Sequence, residues 1–173
     1  MLSPSATNAW KVASSSTNLH SDLEPRVYVA CLLVTDLTSG KQLGIFIIYV
    51  YTLTADASET LKSEFEDIMA NANNRHSIGY VLVIFSDANA SLGCNNPTRN
   101  YDVSYASVGS HGIKYTNDVG RRLRSFLKLH KLASLSTFFK KKYYGTWQHP
   151  RSKLQHKLDH IFIFKSDIRR FTN

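Results

Sequence analysis

The sequence predicts an α/β domain in which a sheet is covered by helices, and three kinds of stretch carry that prediction. RVYVACLLVT (26–35) and LGIFIIYVYTLT (43–54) are runs of β-branched and aromatic residues, which pack well on a pleated surface, and each is long enough for a strand. YVLVIFS (80–86) is an unbroken apolar run, the pattern of a strand buried on both faces. Between them, DASETLKSEFEDIMANANN (56–74) places Leu61, Phe65, Ile68 and Met69 on one helical face.

The first two runs flank DLTSGKQ, where Ser39-Gly40 supports a turn, so they read as a hairpin. Asp56 and Glu59 stand at capping-box spacing ahead of the helix, which should end near Asn73. From Gly93 to Asp118 the chain is rich in Gly, Asn, Ser and Tyr and reads as a long surface loop. Asn117 can cap a second helix over DVGRRLRSFLKLHKLAS (118–134), with Leu123, Phe126, Leu127 and Leu132 toward the core and the cations toward water. FFKKKYYGTWQH (138–149) and HKLDHIFIF (156–164) suggest two final strands. No internal repeat is present.

A chain of 173 residues is one domain with room for a core of its own. Its longest apolar run, Ile45 to Tyr51, is too short to span a bilayer, and MLSPSATNAWKVASSS lacks the basic and apolar regions of a signal peptide. A soluble, unexported protein is expected, intracellular in the nucleus or the cytoplasm. Cys31 and Cys94 lie far apart with no CxxC partner, so two reduced thiols are expected rather than a disulfide framework or a zinc site.

The net charge of +8 is unevenly spread. Residues 1–110 carry 6 Lys/Arg against 10 Asp/Glu, whereas residues 111–173 carry 15 against 3. The cations of the second half cluster in GRRLR, KLHK, FKKKYYGTW and HPRSKLQHK, interleaved with aromatics. Such a pattern is a footprint for a polyanion, because each phosphate contact releases counterions; a solvated basic face is the alternative. No strongly amphipathic basic helix carries Trp or Phe along one face, which argues against a membrane partner.

VIFSDANASLG (83–93) begins as buried strand and ends by presenting an acid and an amide, Asp87 and Asn89. In extended chain, residues two apart point to the same side, so the pair could orient a water and a phosphate oxygen. The carboxylate would serve as general base and the amide would donate to developing negative charge. An Asx turn is the competing reading of a lone DxN.

Several stretches, in order, bear on that choice. LVIFSDANASLG resembles the ILxGDFNAxxG segment of the endonuclease/exonuclease/phosphatase superfamily, in particular the endonucleases of non-LTR retrotransposons and the related craniofacial development protein 2-like proteins. IIYVYTLTADASETLKSEFEDIM is similar to that family's INVYAPTxDAxEExKxxFYxxL, and SVGSHGIKYTNDVGRRLRSFLKLHKL to its GPHGxGxxNxNGxRLxxFCxxxxL. GTWQHP and KLDHIFI are similar to TWxSPD and xIDYIxI, and the opening LSPSATNAW fits the segment before the first matched strand.

The resemblance implies a four-layered α/β sandwich of DNase I-like type and a metal-dependent phosphodiester hydrolysis, usually of DNA. It implies that Asp87 and Asn89 position and activate the attacking water, that Tyr51 contacts the scissile phosphate, and that Asp159 supports a catalytic His. Mg2+ suits such chemistry as an oxygen-seeking ion that bridges carboxylate and phosphate. Arg121, Arg122, Lys140, Lys141, Lys142, Trp147 and Arg151 are the candidates for holding the nucleic-acid backbone.

The departures are informative. The family's first catalytic Asn and its metal-binding Glu belong before the first matched strand, and its closing SDH would follow Asn173, so a partial domain is expected. No histidine here is an obvious replacement: His160 neighbours Asp159 and should face the other way, and a strand spreads His156 and His160 too far for a metal. Ser86 stands where the family has Gly, Ala88 where it has Phe, Tyr49 where it has Asn, and Leu53 where it has Pro. A missing core Phe costs about 3–5 kcal/mol unless the site collapses. Missing strands should leave sheet edges unpaired and apolar surface bare. The chain is thus expected to be an impaired nuclease, with a non-catalytic nucleic-acid-binding remnant, or one unable to fold, as the alternatives.

Overall fold

A computed structural model describes residues 26–35, 40–54, 56–74, 79–95 and 106–171. It contains β1 (Val27–Thr35), β2 (Gln42–Tyr51), α1 (Glu59–Asn74), β3 (Tyr80–Asp87), α2 (Asp118–Leu129), β4 (Leu132–Ser134), β5 (Trp147–Gln148), β6 (Gln155–His156) and β7 (Asp159–Phe164). Strands order as β1-β2-β3-β7-β4 in one sheet, and β5 and β6 form a separate ribbon. β1 and β2 pair antiparallel as the hairpin reading expected; Ser39 of its turn lies outside the described residues, and Gly40 takes φ +67. β2 and β3 are parallel, joined through α1, while β7 runs antiparallel to both β3 and β4.

Strand alternation sorts the side chains. Val27 and Val29, Phe46, Ile48 and Val50, Leu82 and Ile84, and Phe162 share the buried face. Phe65, Met69 and Ala72 of α1 and Phe126 and Leu127 of α2 complete that core. Each such large side chain removed from water contributes about 1.5–3 kcal/mol. Both helices dock on this one side. Among the described residues the opposite face is exposed at Tyr28, Tyr49 and Phe85, each more than 40% exposed, whereas Val81 and Ile163 on that face are buried. β3 is therefore buried on both faces at its start, where Val81 is 6% exposed, but not at Phe85 near its end.

Several local expectations are corrected. The cap of α1 is Ser58, whose Oγ accepts from the Leu61 N–H at 3.2 Å, and not Asp56, which is bonded to Thr54. α2 ends at Leu129 instead of running to 134: Lys131 turns the chain at φ +56, and Leu132 enters β4, where it pairs with Phe164. The strand expected over 138–149 shrinks to Trp147–Gln148. Ahead of it the chain is looped, the Tyr144 hydroxyl accepting from the Lys141 N–H at 2.8 Å. The 93–118 stretch is only partly surface, since Ala106 and Val108 are buried and the Gly109 N–H donates to Thr137 Oγ1 at 2.7 Å.

Ala88 is fully buried and lines a cavity of about 460 Å³ between the helices and the sheet, together with Leu53, Phe65, Met69, Phe126 and Phe162. Cys31 and Cys94 are not joined in a disulfide. No helix among the described residues is long and apolar enough to cross a membrane.

Candidate active site

The sheet register sets three side chains in a row. Tyr51 of β2 is the partner of Asp87 of β3, and Asp87 is the partner of Asp159 of β7. Adjacent strands lie about 4.8 Å apart, so the phenol and both carboxylates crowd one end of the sheet, on the face left open by the helices. The row is pinned from both sides: the Thr52 N–H donates to the Asp87 carbonyl at 2.9 Å and the Ala88 N–H to that of Leu158 at 2.8 Å. The guanidinium of Arg26 lies over the Tyr51 ring, 5.1 Å from its centroid.

Asn89 reaches this end by a different route from the one its spacing implied. β3 stops at Asp87, and Asn89 adopts φ +45, a left-handed conformation that Asn tolerates. Its N–H donates to Asp87 Oδ1 at 3.4 Å, which is an Asx turn, and its Nδ2 donates to the Thr52 carbonyl at 3.4 Å. The period-two argument therefore fails here, and the turn bends the amide back over the end of β2. The following segment is held by Asn117, whose Oδ1 accepts from both the Ser91 N–H at 3.0 Å and the Gly120 N–H at 2.8 Å. Gly120 is required there, because a Cβ would sit 2.0 Å from the Ser91 carbonyl oxygen.

His160, next to Asp159, faces the core as strand alternation demands and is 4% exposed. Its Nε2 lies 3.0 Å from the Ala90 carbonyl, which can only accept, so Nε2 carries the proton and Nδ1 accepts from the Ser134 hydroxyl at 3.4 Å. Burial pushes its pKa down to about 4, so it is a neutral structural histidine over most of the pH range. His156 packs instead against Trp147, 5.5 Å between ring centroids.

A pocket of about 350 Å³ opens beside the row. It is lined by Asp87 and Asp159, by Tyr49 and Phe85 of the open face, and by Lys141, Tyr143, Thr146, Lys157 and Ser136. Thr146 Oγ1 accepts from the N–H groups of Leu158 and Asp159 at 3.0 and 3.1 Å, fixing the start of β7. Lys157 Nζ is bonded to Ser136 Oγ. Burial, with Lys141 adding repulsion, lowers the Lys157 pKa to about 8. Lys157, Ser136, Thr146 and Arg26 carry no local sequence signal for this site, because tertiary packing alone brings them beside the row.

The basic candidates divide. Lys141 lines the pocket, Lys140 and Lys142 are exposed beside it, and Lys142 lies over the Tyr143 ring at 5.4 Å. Trp147 is 42% exposed in β5, and Arg151 is exposed in the turn that follows. Arg121 pairs with Asp118 in its own helix. Arg122 is committed elsewhere, bridging α2 to Glu59 and Glu66 of α1.

Among the described residues no group of three or more His, Cys, Asp or Glu side chains is placed to hold an ion; the pocket offers the two carboxylates of Asp87 and Asp159, and a magnesium ion is commonly held by one or two carboxylates with waters and substrate phosphate.

No protein-family model and no curated protein matches the sequence. Among solved structures the chain is similar to an AP endonuclease from Archaeoglobus fulgidus, with a TM-score of 0.55 and 14% identity over 90% of this chain. It spans 59% of that chain's length. At that identity the likeness establishes the fold, and the fold is α/β of the DNase I-like type.

Proposed function

We propose that this chain is a nucleic-acid phosphodiesterase of the DNase I-like endonuclease type, derived from a non-LTR retrotransposon endonuclease and impaired in turnover. The observation that carries the reading is the row of Tyr51, Asp87 and Asp159 across three adjacent strands, beside a pocket that also holds two lysines. The AP endonuclease fold supports a DNA substrate.

In this reading Asp87 orients a water and takes its proton as the water oxygen bonds to phosphorus and the bond to the leaving oxygen breaks. Tyr51 touches the phosphate through its hydroxyl, and Asn89 donates its second amide N–H to the developing charge. The leaving oxygen is protonated from solvent. Among the described residues Asp159 has no imidazole to orient, since His160 is turned into the core, and that is one source of impairment. Magnesium dependence belongs to the reading through the resemblance, with Asp87 and Asp159 as the carboxylates that would hold the ion.

Incubating the chain and its Asp87→Ala variant with supercoiled plasmid and Mg2+ tests this. Nicking that EDTA abolishes and Asp87→Ala lowers by about 100-fold or more is expected. No nicking by a chain shown to unfold cooperatively rejects hydrolysis. Binding without chemistry would then stand, favoured by the 15 Lys/Arg against 3 Asp/Glu in residues 111–173.

A further inference from the structure

The pocket beside the carboxylate row contains a cluster of donors for which the described residues supply no acceptor. Ser136 Oγ accepts from Lys157 Nζ, so its own hydrogen remains to be given. Thr146 Oγ1 accepts from two backbone N–H groups, so its hydrogen is likewise left to donate. Lys157 brings an ammonium with further N–H donors, and Lys141 brings a second cation to the same pocket. A half-buried ammonium beside another lysine is costly unless an anion joins them.

The geometry points to Lys157, held by Ser136 and flanked by Thr146 and Lys141, as the residue that seats a phosphate of a nucleic-acid strand next to Asp87 and Asp159. The inference rests on the proposed function in taking the ligand to be a strand phosphate. A tetrahedral oxyanion is the chemistry that several converging N–H and O–H donors recognise. Asp87 and Asp159 line the same pocket, so a phosphate held there would lie beside the carboxylate row.

The groups around Lys157 define how binding should depend on pH. Lys141, Tyr143 and Tyr144 face the pocket from the 138–146 loop, Tyr49 from β2, Asp87 from β3, and Asp159 and His160 from β7. His160 is neutral above about pH 4, whereas burial, with repulsion from Lys141, lowers the pKa of the Lys157 ammonium to about 8. A bound phosphate favours the ammonium, so binding raises the Lys157 pKa, and affinity falls as pH rises through 8.

The test follows the Lys157 side chain in the full-length chain carrying 13C-labelled lysine, its resonance assigned by its loss in Lys157→Met. Inorganic phosphate at pH 7 should shift that resonance saturably and raise its titration midpoint. Ser136→Ala should weaken phosphate binding by roughly 3- to 10-fold, one lost hydrogen bond. A 12-nucleotide single strand with both ends unphosphorylated should displace the phosphate.

A Lys157 resonance that ignores phosphate while those of Lys140 and Lys142 respond overturns the inference. So does phosphate that the oligonucleotide cannot displace, which would mark a site for free phosphate or a monoester. Lys157→Met with an unaltered thermal transition and undiminished affinity for both ligands overturns it too. Nicking is read separately: displaceable phosphate at Lys157 without nicking upholds the inference and rejects hydrolysis, whereas nicking with an indifferent Lys157 does the reverse.

Discussion

His160 and Asp159 are neighbours in sequence with opposite fates, because one step along a strand changes the face. Asp159 stays at the open end of the row, and His160 is drawn under it, its two ring nitrogens spent on Ala90 and Ser134. Burial, with repulsion from Lys157 beside it, lowers the imidazole pKa from 6.5 to about 4 and outweighs the pull of Asp159, whereas the unfolded chain keeps the ordinary value. Between those values the unfolded state binds the proton that the folded state refuses. Stability from this source is full above pH 6.5 and is lost as the pH falls through 4, by about 3 kcal/mol in all. Denaturant midpoints measured from pH 7 to 4 should fall more steeply in the wild type than in His160→Gln, which cannot titrate. Equal slopes would mean that the imidazole is not held neutral.

At the scale of elements, α2 does more than cover the core, because its cap is also a clamp. Asn117 ends the loop, opens the helix and holds Ser91, so the segment carrying Asn89 is anchored to the first turn of α2. Asn117→Ala removes a cap and orphans the Ser91 N–H, and should cost about 2 kcal/mol. Asn117→Asp, which keeps the acceptor, should restore most of that loss in thermal unfolding. The cap was legible in the sequence because capping is local, a matter of Asn followed by an amphipathic run. The end of α2 was not, because it is decided by Leu132 finding Phe164 across β4 and β7. The conformation of Asn89 was misread for the same kind of reason: alternation was extended past the point where β3 ends, although Asn is a residue that accepts positive φ.

Across the whole molecule, the class of fold was legible from period and composition, and its DNase I-like type from ordered motifs, at an identity to the Archaeoglobus fulgidus enzyme of only 14%. What composition could not sort was the basic half. Its cations look alike in sequence, but the structure separates them: Arg122 ties α2 to Glu59 and Glu66, whereas Lys141 lines the pocket and its chain neighbours Lys140 and Lys142 are exposed. A lysine on a phosphate releases counterions and so steepens the salt dependence of binding, while an arginine already paired across two helices releases none. Neutralising the three lysines to Gln should therefore lower the log–log salt slope of duplex binding by roughly 2–3 and leave the unfolding midpoint nearly unchanged. Arg122→Ala should do the opposite, leaving the slope intact and lowering the midpoint, because it strands Glu66 in a half-buried position against α2. Fluorescence anisotropy on a labelled duplex over a salt series, beside denaturant unfolding of each variant, separates the two. An Arg122→Ala variant that unfolds like the wild type but binds with a shallower slope would move that arginine from the fold to the nucleic-acid surface.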